Sequence, residues 1–214
     1  MVRISKDPDV RMNEILDAAE KLFAEKGYDN TTVGSIVEEV GVAKGTFYYY
    51  FDTKESIITA LVERQLLEGK KQADQIVESS QLNAVEKMAK IMNMLLVPPT
   101  EEQGVFHCMD SDSNAKIHQK RDELFHKLFK GIILRVVGEG VQKGYFQCEY
   151  YQDITEIIFI GIDKFMHINM KNFKDKDQEF FHSKIMAIQE LLERVLGIEK
   201  GKLDILGENI DKGD

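Results

Sequence analysis

Apolar residues recur about every three to four positions along most of the chain, and no stretch alternates with the period of two that is typical of a strand. The first such pattern predicts a helix over about 10–26. Two short patterns follow: one over 33–40 stops at Gly41, where a helix commonly ends, and the next begins at Ala43 or Lys44. Two short helices joined by a tight turn that contains glycine form the helix-turn-helix motif.

Longer apolar patterns follow the motif. They predict helices over about 53–79, 83–97, 114–143, 153–172 and 177–196. The pattern over 153–172 is apolar on nearly all sides, and in a single chain it would leave a large apolar patch exposed, which usually marks an interface. The expected fold class is all-α. A helix-turn-helix domain over 1–52 precedes a larger helical domain over 53–197 and a poorly ordered tail over 198–214.

The second short helix carries an outer face unlike an ordinary solvated surface. The residues on this face are Lys44, Gly45, Thr46, Tyr48 and Tyr49. Hydroxyl and ammonium groups can reach phosphates, aromatic edges can contact thymine methyl groups, and a glycine lets the backbone come close to a duplex. A small aromatic core element is the alternative; it accounts for Phe47 and Phe51 but not for three consecutive tyrosines. The pattern therefore favours a face that enters the major groove of DNA.

The segment GVAKGTFYYYFDTKESI, together with ILDAAEKLFAEKGYDNTTVGSIVEEVGV upstream, resembles the DNA-binding signature of the TetR/AcrR family of transcription regulators. The resemblance covers roughly the first quarter of the chain and is one of architecture beyond Leu66. By position it implies phosphate contacts at Thr32, Thr46, Tyr48 and Lys54, and groove contacts at Lys44, Gly45 and Tyr49.

The resemblance implies a ligand-responsive regulator, most commonly a repressor, that binds a palindromic operator in double-stranded DNA. It also implies a homodimer, formed through the predicted helices over 153–172 and 177–196, whose two reading helices are spaced about one DNA turn, roughly 34–36 Å. A small apolar or amphipathic effector would release the protein from DNA through the helix over 53–79. A protein-interaction module with a weakened DNA-binding head is the alternative, because residues 1–60 hold seven basic and eleven acidic side chains.

The resemblance also implies that residues 1–52 are the DNA-binding domain and residues 53–197 the ligand-binding and dimerisation domain. The effector site is expected in the second of these, where flexible thioethers suit a pocket for varied apolar ligands. The candidate ligand-binding residues are Met88, Met92, Phe125, Phe129, Asp163 and His167. Ordinary core packing is the alternative for each methionine. Asp163 and His167 lie four residues apart in an apolar helix, so the acid either recognises a cationic ligand or joins the histidine in hydrogen bonds across the dimer.

Composition adds limits on compartment and binding mode. The net charge of −9 argues against a protein that coats DNA non-specifically, and few basic phosphate contacts predict a shallow salt dependence. The chain has two cysteines, no signal peptide and no apolar run of the roughly 20 residues that span a bilayer. We therefore expect a cytoplasmic protein without a membrane partner.

Motifs for catalysis are not found in the sequence: it has no glycine-rich phosphate loop, no HExxH and no nucleophile motif. One cluster has residue types that bind metals: His107, Cys108, Asp110, Asp112 and His118. Its spacing fits no zinc pattern, so we expect no metal, no cofactor and no enzyme, and an enzyme that uses this cluster is the third hypothesis. His118 and His126 are expected to be solvated on a helix exterior.

Overall fold

The computed structural model describes residues 7–97, 115–170 and 178–207 of the 214-residue chain. Within these ranges it contains eight α-helices and no strand. The helices are α1 (Pro8–Lys26), α2 (Val33–Val40), α3 (Lys44–Tyr50), α4 (Lys54–Glu78), α5 (Ala84–Leu96), α6 (Ala115–Gln142), α7 (Tyr151–Met170) and α8 (Gln178–Leu196). None of these helices is both long and apolar enough to cross a bilayer. The predicted all-α class is confirmed.

Two compact units make up the chain. The described part of the first unit comprises residues 7–66 and 115–124, and that of the second comprises 67–97, 125–170 and 178–207. Helices α4 and α6 each contribute residues to both units. The domain boundary between residues 52 and 53 stays a prediction.

The first unit places α2 against both α1 and α3. Its core is formed by apolar side chains that are almost fully buried: Ile15, Leu16, Ala19, Leu22, Phe23, Ile36, Phe47, Ile57, Ile58 and Leu61. Because Phe47 points inward from α3, the residues that flank it point outward. The core thus fixes which face of α3 is exposed.

Local sequence sets both the start of α2 and its end at the turn to α3. Thr32 caps α2: the Ser35 N–H donates to the Thr32 hydroxyl at 3.1 Å, and the Thr32 N–H donates to the Ser35 hydroxyl at 3.1 Å. Gly41 has φ 73°, the left-handed conformation that glycine adopts without strain, and its N–H returns to the Glu38 carbonyl at 3.1 Å. The end of α2 at Gly41 agrees with the sequence prediction, and the Thr32 cap fixes where α2 begins.

The helices of the second unit are joined by charged pairs as well as by an apolar core. Lys87 of α5, with only 4% of its surface exposed, donates to Glu139 of α6 at 2.8 Å. Lys130 of α6 lies 2.7 Å from Glu156 of α7. The buried Lys87 ammonium needs its carboxylate partner, because burial of an unpaired charge is costly. The apolar core includes Met88, Ile91, Phe129, Val136, Val137, Ile185, Ile188 and Leu196.

A C-terminal strap, residues 198–207, packs on the second unit. Leu203 and Ile205 are almost fully buried. The Leu203 N–H donates to the Glu193 carboxylate at 3.1 Å, and the Ile205 N–H donates to the Gln189 amide oxygen at 3.2 Å. The composition of 198–214 predicts a poorly ordered tail; the structure corrects this for 198–207, because two apolar side chains and these hydrogen bonds hold the strap. Residues 208–214 lie outside the described residues.

Candidate functional site

Helix α3 presents the face on which the predicted nucleic-acid contacts lie. Tyr49 is 77% exposed and Tyr48 is 54% exposed, whereas Phe47, which precedes them in the chain, is fully buried. Lys44 is exposed as well, and Thr46 is half-buried. The Tyr48 ring meets the Phe47 ring edge to face with centroids 5.3 Å apart, and the Tyr49 ring meets Tyr50 at 4.9 Å, but most of each side chain stays exposed. The two exposed tyrosines can offer hydroxyls to phosphates and ring edges to bases.

Gly45 has no role that the protein's own packing explains. Its φ is not positive, and a Cβ atom added there would meet nothing within 4 Å. A glycine in a helix interior costs about 0.5–1 kcal/mol of stability relative to alanine. The fold would therefore accept a larger residue, and the missing side chain leaves room for another molecule to approach α3.

The predicted phosphate contact at Lys54 has a structural role in this molecule. The Lys54 ammonium donates to the carbonyl of Tyr28 at 2.7 Å and to that of Thr31 at 3.0 Å. It also lies 3.9 Å from the centroid of the Tyr28 ring, a cation–π contact. These contacts fix the turn between α1 and α2. Thr32, also a predicted phosphate contact, is exposed while it caps α2.

Ion pairs within the first unit engage several of its acidic residues. Arg64 of α4 lies 2.6 Å from Asp17 and 2.8 Å from Glu20, both on α1. Lys21 donates to Glu39 at 2.7 Å; this hydrogen bond raises the pKa of Lys21 and lowers the pKa of Glu39 relative to their ordinary values. The acidic side chains that these pairs engage belong to α1 and α2, and none of them belongs to α3.

The candidate ligand residues of α5 and α6 lie in the core of the second unit. Met88, Met92 and Phe129 are almost fully buried. Phe125 is half-buried; its ring stacks on Phe159 of α7, with centroids 5.4 Å apart, and lies 5.0 Å from the Phe129 ring. The structure thus brings Phe125 and Phe129 together with α7.

Asp163 contacts a histidine that the sequence pattern places on a solvated helix exterior. The Nε2 atom of His126 on α6 lies 3.1 Å from the Asp163 Oδ2 atom on α7. The expectation that His126 is solvated is therefore wrong: its side chain is only 30% exposed, and its ring lies 5.2 Å from the Phe159 centroid. His167, the other polar candidate, is half-buried on α7.

Helices α7 and α8 enclose an apolar groove of about 640 Å³. Its lining residues are Ile154, Ile157, Ile158, Gly161, Ile162, Phe165, Ala187, Ile188, Leu191 and Val195. Several large apolar side chains are exposed on these two helices, including Ile157 at 70% and Ile168 at 62%. An exposed apolar surface of this kind marks an interaction site. We call the surface formed by the groove and these exposed side chains the α7–α8 face.

The proposed metal cluster falls mostly where the structure gives no description. Residues 107, 108, 110 and 112 lie outside the described residues, and His118 is half-buried on α6. Among the described residues, no group of three or more histidine, cysteine, aspartate or glutamate side chains is arranged to hold a metal ion. Cys148 is buried, and burial raises the pKa of its thiol.

A family model described as "Bacterial regulatory proteins, tetR family" matches residues 15–61, which include α2 and α3. The fatty acid metabolism regulator protein of Bacillus subtilis is 30% identical over 134 residues, which are 61% of this chain and 68% of that protein. The biofilm operon icaADBC negative transcriptional regulator of Staphylococcus aureus is 49% identical over 45 residues, 21% of this chain and 24% of that protein.

One solved structure extends the similarity beyond the N-terminal part. The Bacillus subtilis transcriptional regulator FadR, crystallised in complex with stearoyl-CoA, superposes with a TM-score of 0.60 at 27% identity. The superposition covers 87% of this chain and 99% of that chain. The likeness therefore includes helices of the second unit as well as the helix-turn-helix.

Proposed function

The chain belongs to the TetR family of bacterial regulatory proteins, and we propose that it is a ligand-responsive transcriptional repressor that binds a palindromic operator as a homodimer. An apolar or amphipathic effector then releases the repressor from DNA in the cytoplasm. The observation that carries the proposal is the exposed face of α3, on which 54% of Tyr48 and 77% of Tyr49 is exposed. Repression is the proposed direction because the Staphylococcus aureus relative is a negative regulator.

The α3 face supports groove binding in three ways. The two exposed tyrosines and Lys44 supply hydroxyl, aromatic and ammonium groups at one surface. Gly45 leaves space there that the fold does not use. Thr32 and Thr46 add hydroxyls near the start of α2 and α3. We propose Thr32, Thr46, Tyr48 and Lys54 as phosphate contacts and the remaining residues of the face as groove contacts.

Few of the proposed DNA contacts are cationic, so we expect a shallow dependence of affinity on salt. Each phosphate that a basic side chain neutralises adds about 0.9 to the slope of log affinity against log salt. Lys44 is exposed, but the Lys54 ammonium already binds two carbonyl groups. Neutral contacts from tyrosine and threonine hydroxyls then supply much of the recognition.

A homodimer through the α7–α8 face supports the palindromic operator. One helix of seven residues touches too few bases for strong specificity, and two such helices related by a twofold axis read an inverted repeat. The α7–α8 face is apolar, exposed and grooved. Two copies of this helix pair form a four-helix bundle that removes the apolar surface from water.

The effector that we propose has a long apolar part. The FadR relative holds stearoyl-CoA, and a long-chain acyl-CoA is therefore the first compound to test on this chain. The proposed pocket residues Met88, Met92, Phe125 and Phe129 suit an acyl chain, because thioethers and aromatic rings adapt to flexible apolar ligands. Asp163 and His167 are proposed at its polar end.

Helix α4 is the proposed route of coupling between effector and DNA. It contributes residues to both units, so a change in the second unit can alter the placement of the first. The effector needs only to bind better to the form in which the two α3 helices are misplaced for DNA. By linkage, operator DNA then weakens effector binding by the same factor.

A protein-interaction module with a weakened DNA-binding head is the second candidate. The acidic balance of residues 1–60 favours it. The ion pairs of Arg64 with Asp17 and Glu20 reduce the weight of that observation, because they neutralise two of the acids on α1. A protein of this second kind would not retain a specific duplex at moderate salt.

The test is fluorescence anisotropy with the DNA upstream of the protein's own gene and with a scrambled duplex, each at several salt concentrations. We expect tight binding to the native fragment only, and a loss of at least about tenfold in Tyr49→Ala. Tyr150→Ala is the matched control, because Tyr150 is 66% exposed but lies before α7. Equal losses in both variants, or none in Tyr49→Ala, would remove Tyr49 from the DNA-binding surface.

A further inference from the structure

Gly161 lies near the middle of α7, where the protomer gives no reason for a glycine. Its φ is not positive, and an added Cβ atom would meet nothing within 4 Å. A glycine inside a helix is destabilising relative to alanine, because it gains no side-chain contact and loses more backbone freedom on folding. The protomer alone would be more stable with almost any helix-forming residue at this position.

The surroundings of Gly161 are apolar and exposed. Ile157 precedes it by one turn and Phe165 follows it by one turn, and both line the α7–α8 groove. On α8, Ala187 is also exposed and lines the same groove. A glycine and an alanine on adjacent helices make a low point in the groove between larger side chains.

We propose that Gly161 is the point of closest approach between α7 and a second copy of this chain. The inference rests on the proposed homodimer and specifies its packing: the backbone of α7 is left bare so that a helix of the second copy passes over it in contact. Small residues at a helix crossing allow such an approach, whereas a larger side chain holds the two backbones apart.

The α7–α8 face is suited to bind the same face of a second copy of the chain. A twofold interface must be self-complementary, because the same surface is used on both subunits. This face offers both the groove and the protruding side chains that can fill it, such as Ile157 and Leu191. All ten groove-lining residues are uncharged, so two copies meet there without repulsion between like charges.

Gly131 on α6 is a control with a different environment. It is exposed, and an added Cβ atom would meet nothing within 4 Å there either. Its neighbours on the helix surface are charged: Lys127 and Arg135 lie one turn away on each side and are exposed. A substitution at Gly131 therefore has the same effect on helix propensity as one at Gly161, but it changes a hydrated surface.

The experiment measures the dimer dissociation constant of the full chain by analytical ultracentrifugation across a dilution series. The variants are Gly161→Leu, Gly161→Ala, Gly131→Leu and Gly131→Ala, each checked for helicity by circular dichroism. We expect Gly161→Leu to raise the dissociation constant by about tenfold or more, because overpacking at a contact is destabilising. We expect a smaller rise in Gly161→Ala and a change of less than about twofold in the Gly131 variants.

The possible outcomes separate this inference from the proposed function. A wild-type dimer that Gly161→Leu weakens and Gly131→Leu does not would support the inference. A wild-type dimer that keeps its dissociation constant in both Gly161 variants would overturn the inference and leave the dimer. A wild-type chain that stays monomeric at all concentrations would overturn the proposed dimer and this inference with it. If Gly161→Leu loses its helicity, Gly161→Ala decides between the first two outcomes.

Discussion

The His126 Nε2 atom lies 3.1 Å from the Asp163 Oδ2 atom, and this contact joins α6 to α7. Asp163 is mostly buried, with 11% of its side chain exposed. A carboxylate in such a place needs a partner, and His126 supplies one. The contact also lies beside the stacked rings of Phe125, a proposed effector-binding residue, and Phe159.

We expect Asp163→Ala and His126→Ala each to lower the free energy of unfolding by about 1–2 kcal/mol, because each change removes this contact between two largely buried polar groups. The double variant should lose less than the sum of the two single losses. Urea denaturation at one protein concentration measures all three. Strictly additive losses would show that the two side chains do not interact.

Replacement of Gly45 by alanine should increase the stability of the chain and decrease its affinity for DNA. Because an added Cβ atom meets nothing within 4 Å, Gly45→Ala should raise the free energy of unfolding of the chain by about 0.5–1 kcal/mol. The same methyl group should stand between α3 and the groove and weaken operator binding. Thermal denaturation and anisotropy on the same preparations measure the two effects.

Gly131→Ala is the matched control for Gly45→Ala. It should give a similar gain in stability without a change in DNA affinity, because its open space lies on α6. If Gly45→Ala binds DNA as tightly as the unchanged chain, the space at Gly45 is not part of the DNA contact.

Glu139 should make stability depend on pH in the acidic range. Hydrogen bonds from Lys143 and Lys87 hold the pKa of its carboxyl below the ordinary value. The stability that Glu139 contributes is therefore complete above the ordinary pKa of about 4.3 and is lost as the pH falls through the lower pKa of the folded state. Glu139→Gln should cost about 2 kcal/mol at neutral pH, since Lys87 is buried.

The difference in stability between the unchanged chain and Glu139→Gln should shrink as the pH falls below about 4. Urea denaturation between neutral and acidic pH, at a fixed protein concentration, measures it. Glu190→Gln is the control, because Glu190 pairs only with the exposed Arg194 among the contacts described here. A difference that stays constant with pH would show that the protonation of Glu139 is not linked to folding.

Glu193 should hold the C-terminal strap. The carboxylate is almost fully buried and accepts the Gly201 N–H at 2.8 Å and the Leu203 N–H at 3.1 Å. Glu193→Ala removes a buried carboxylate that accepts both of these hydrogen bonds, and it should cost about 1–3 kcal/mol. Limited proteolysis should then cut within 198–207, whereas Glu190→Ala should leave the strap protected. Equal protection in both variants would mean that the apolar contacts of Leu203 and Ile205 suffice.

Local signals explain what the sequence predicts well. The cap at Thr32, the stop at Gly41 and the inward Phe47 are read from residues within a few positions of each other, so the first unit and the exposed face of α3 follow from the pattern. The likeness to the FadR structure confirms the architecture that was inferred from the N-terminal signature.

The sequence does not predict contacts between residues that lie far apart along the chain. Lys54 meets the carbonyl of Tyr28 across 26 positions, and His126 meets Asp163 across 37. The periodicity of apolar residues does not predict such pairs, because they depend on how the helices pack against each other. The strap is a different case: its glycines, lysines and aspartate suggest disorder, and the burial of Leu203 and Ile205 outweighs that composition.

Selection from a random library of duplex DNA tests the central claim most directly, because it needs no knowledge of the operator. We expect the full chain at moderate salt to enrich an inverted repeat whose half-sites lie about 10 base pairs apart, or a multiple of that spacing, with Tyr49→Ala failing to enrich it. A folded chain that enriches no sequence, or a Tyr49→Ala variant that enriches the same repeat equally well, would contradict the claim that α3 reads DNA.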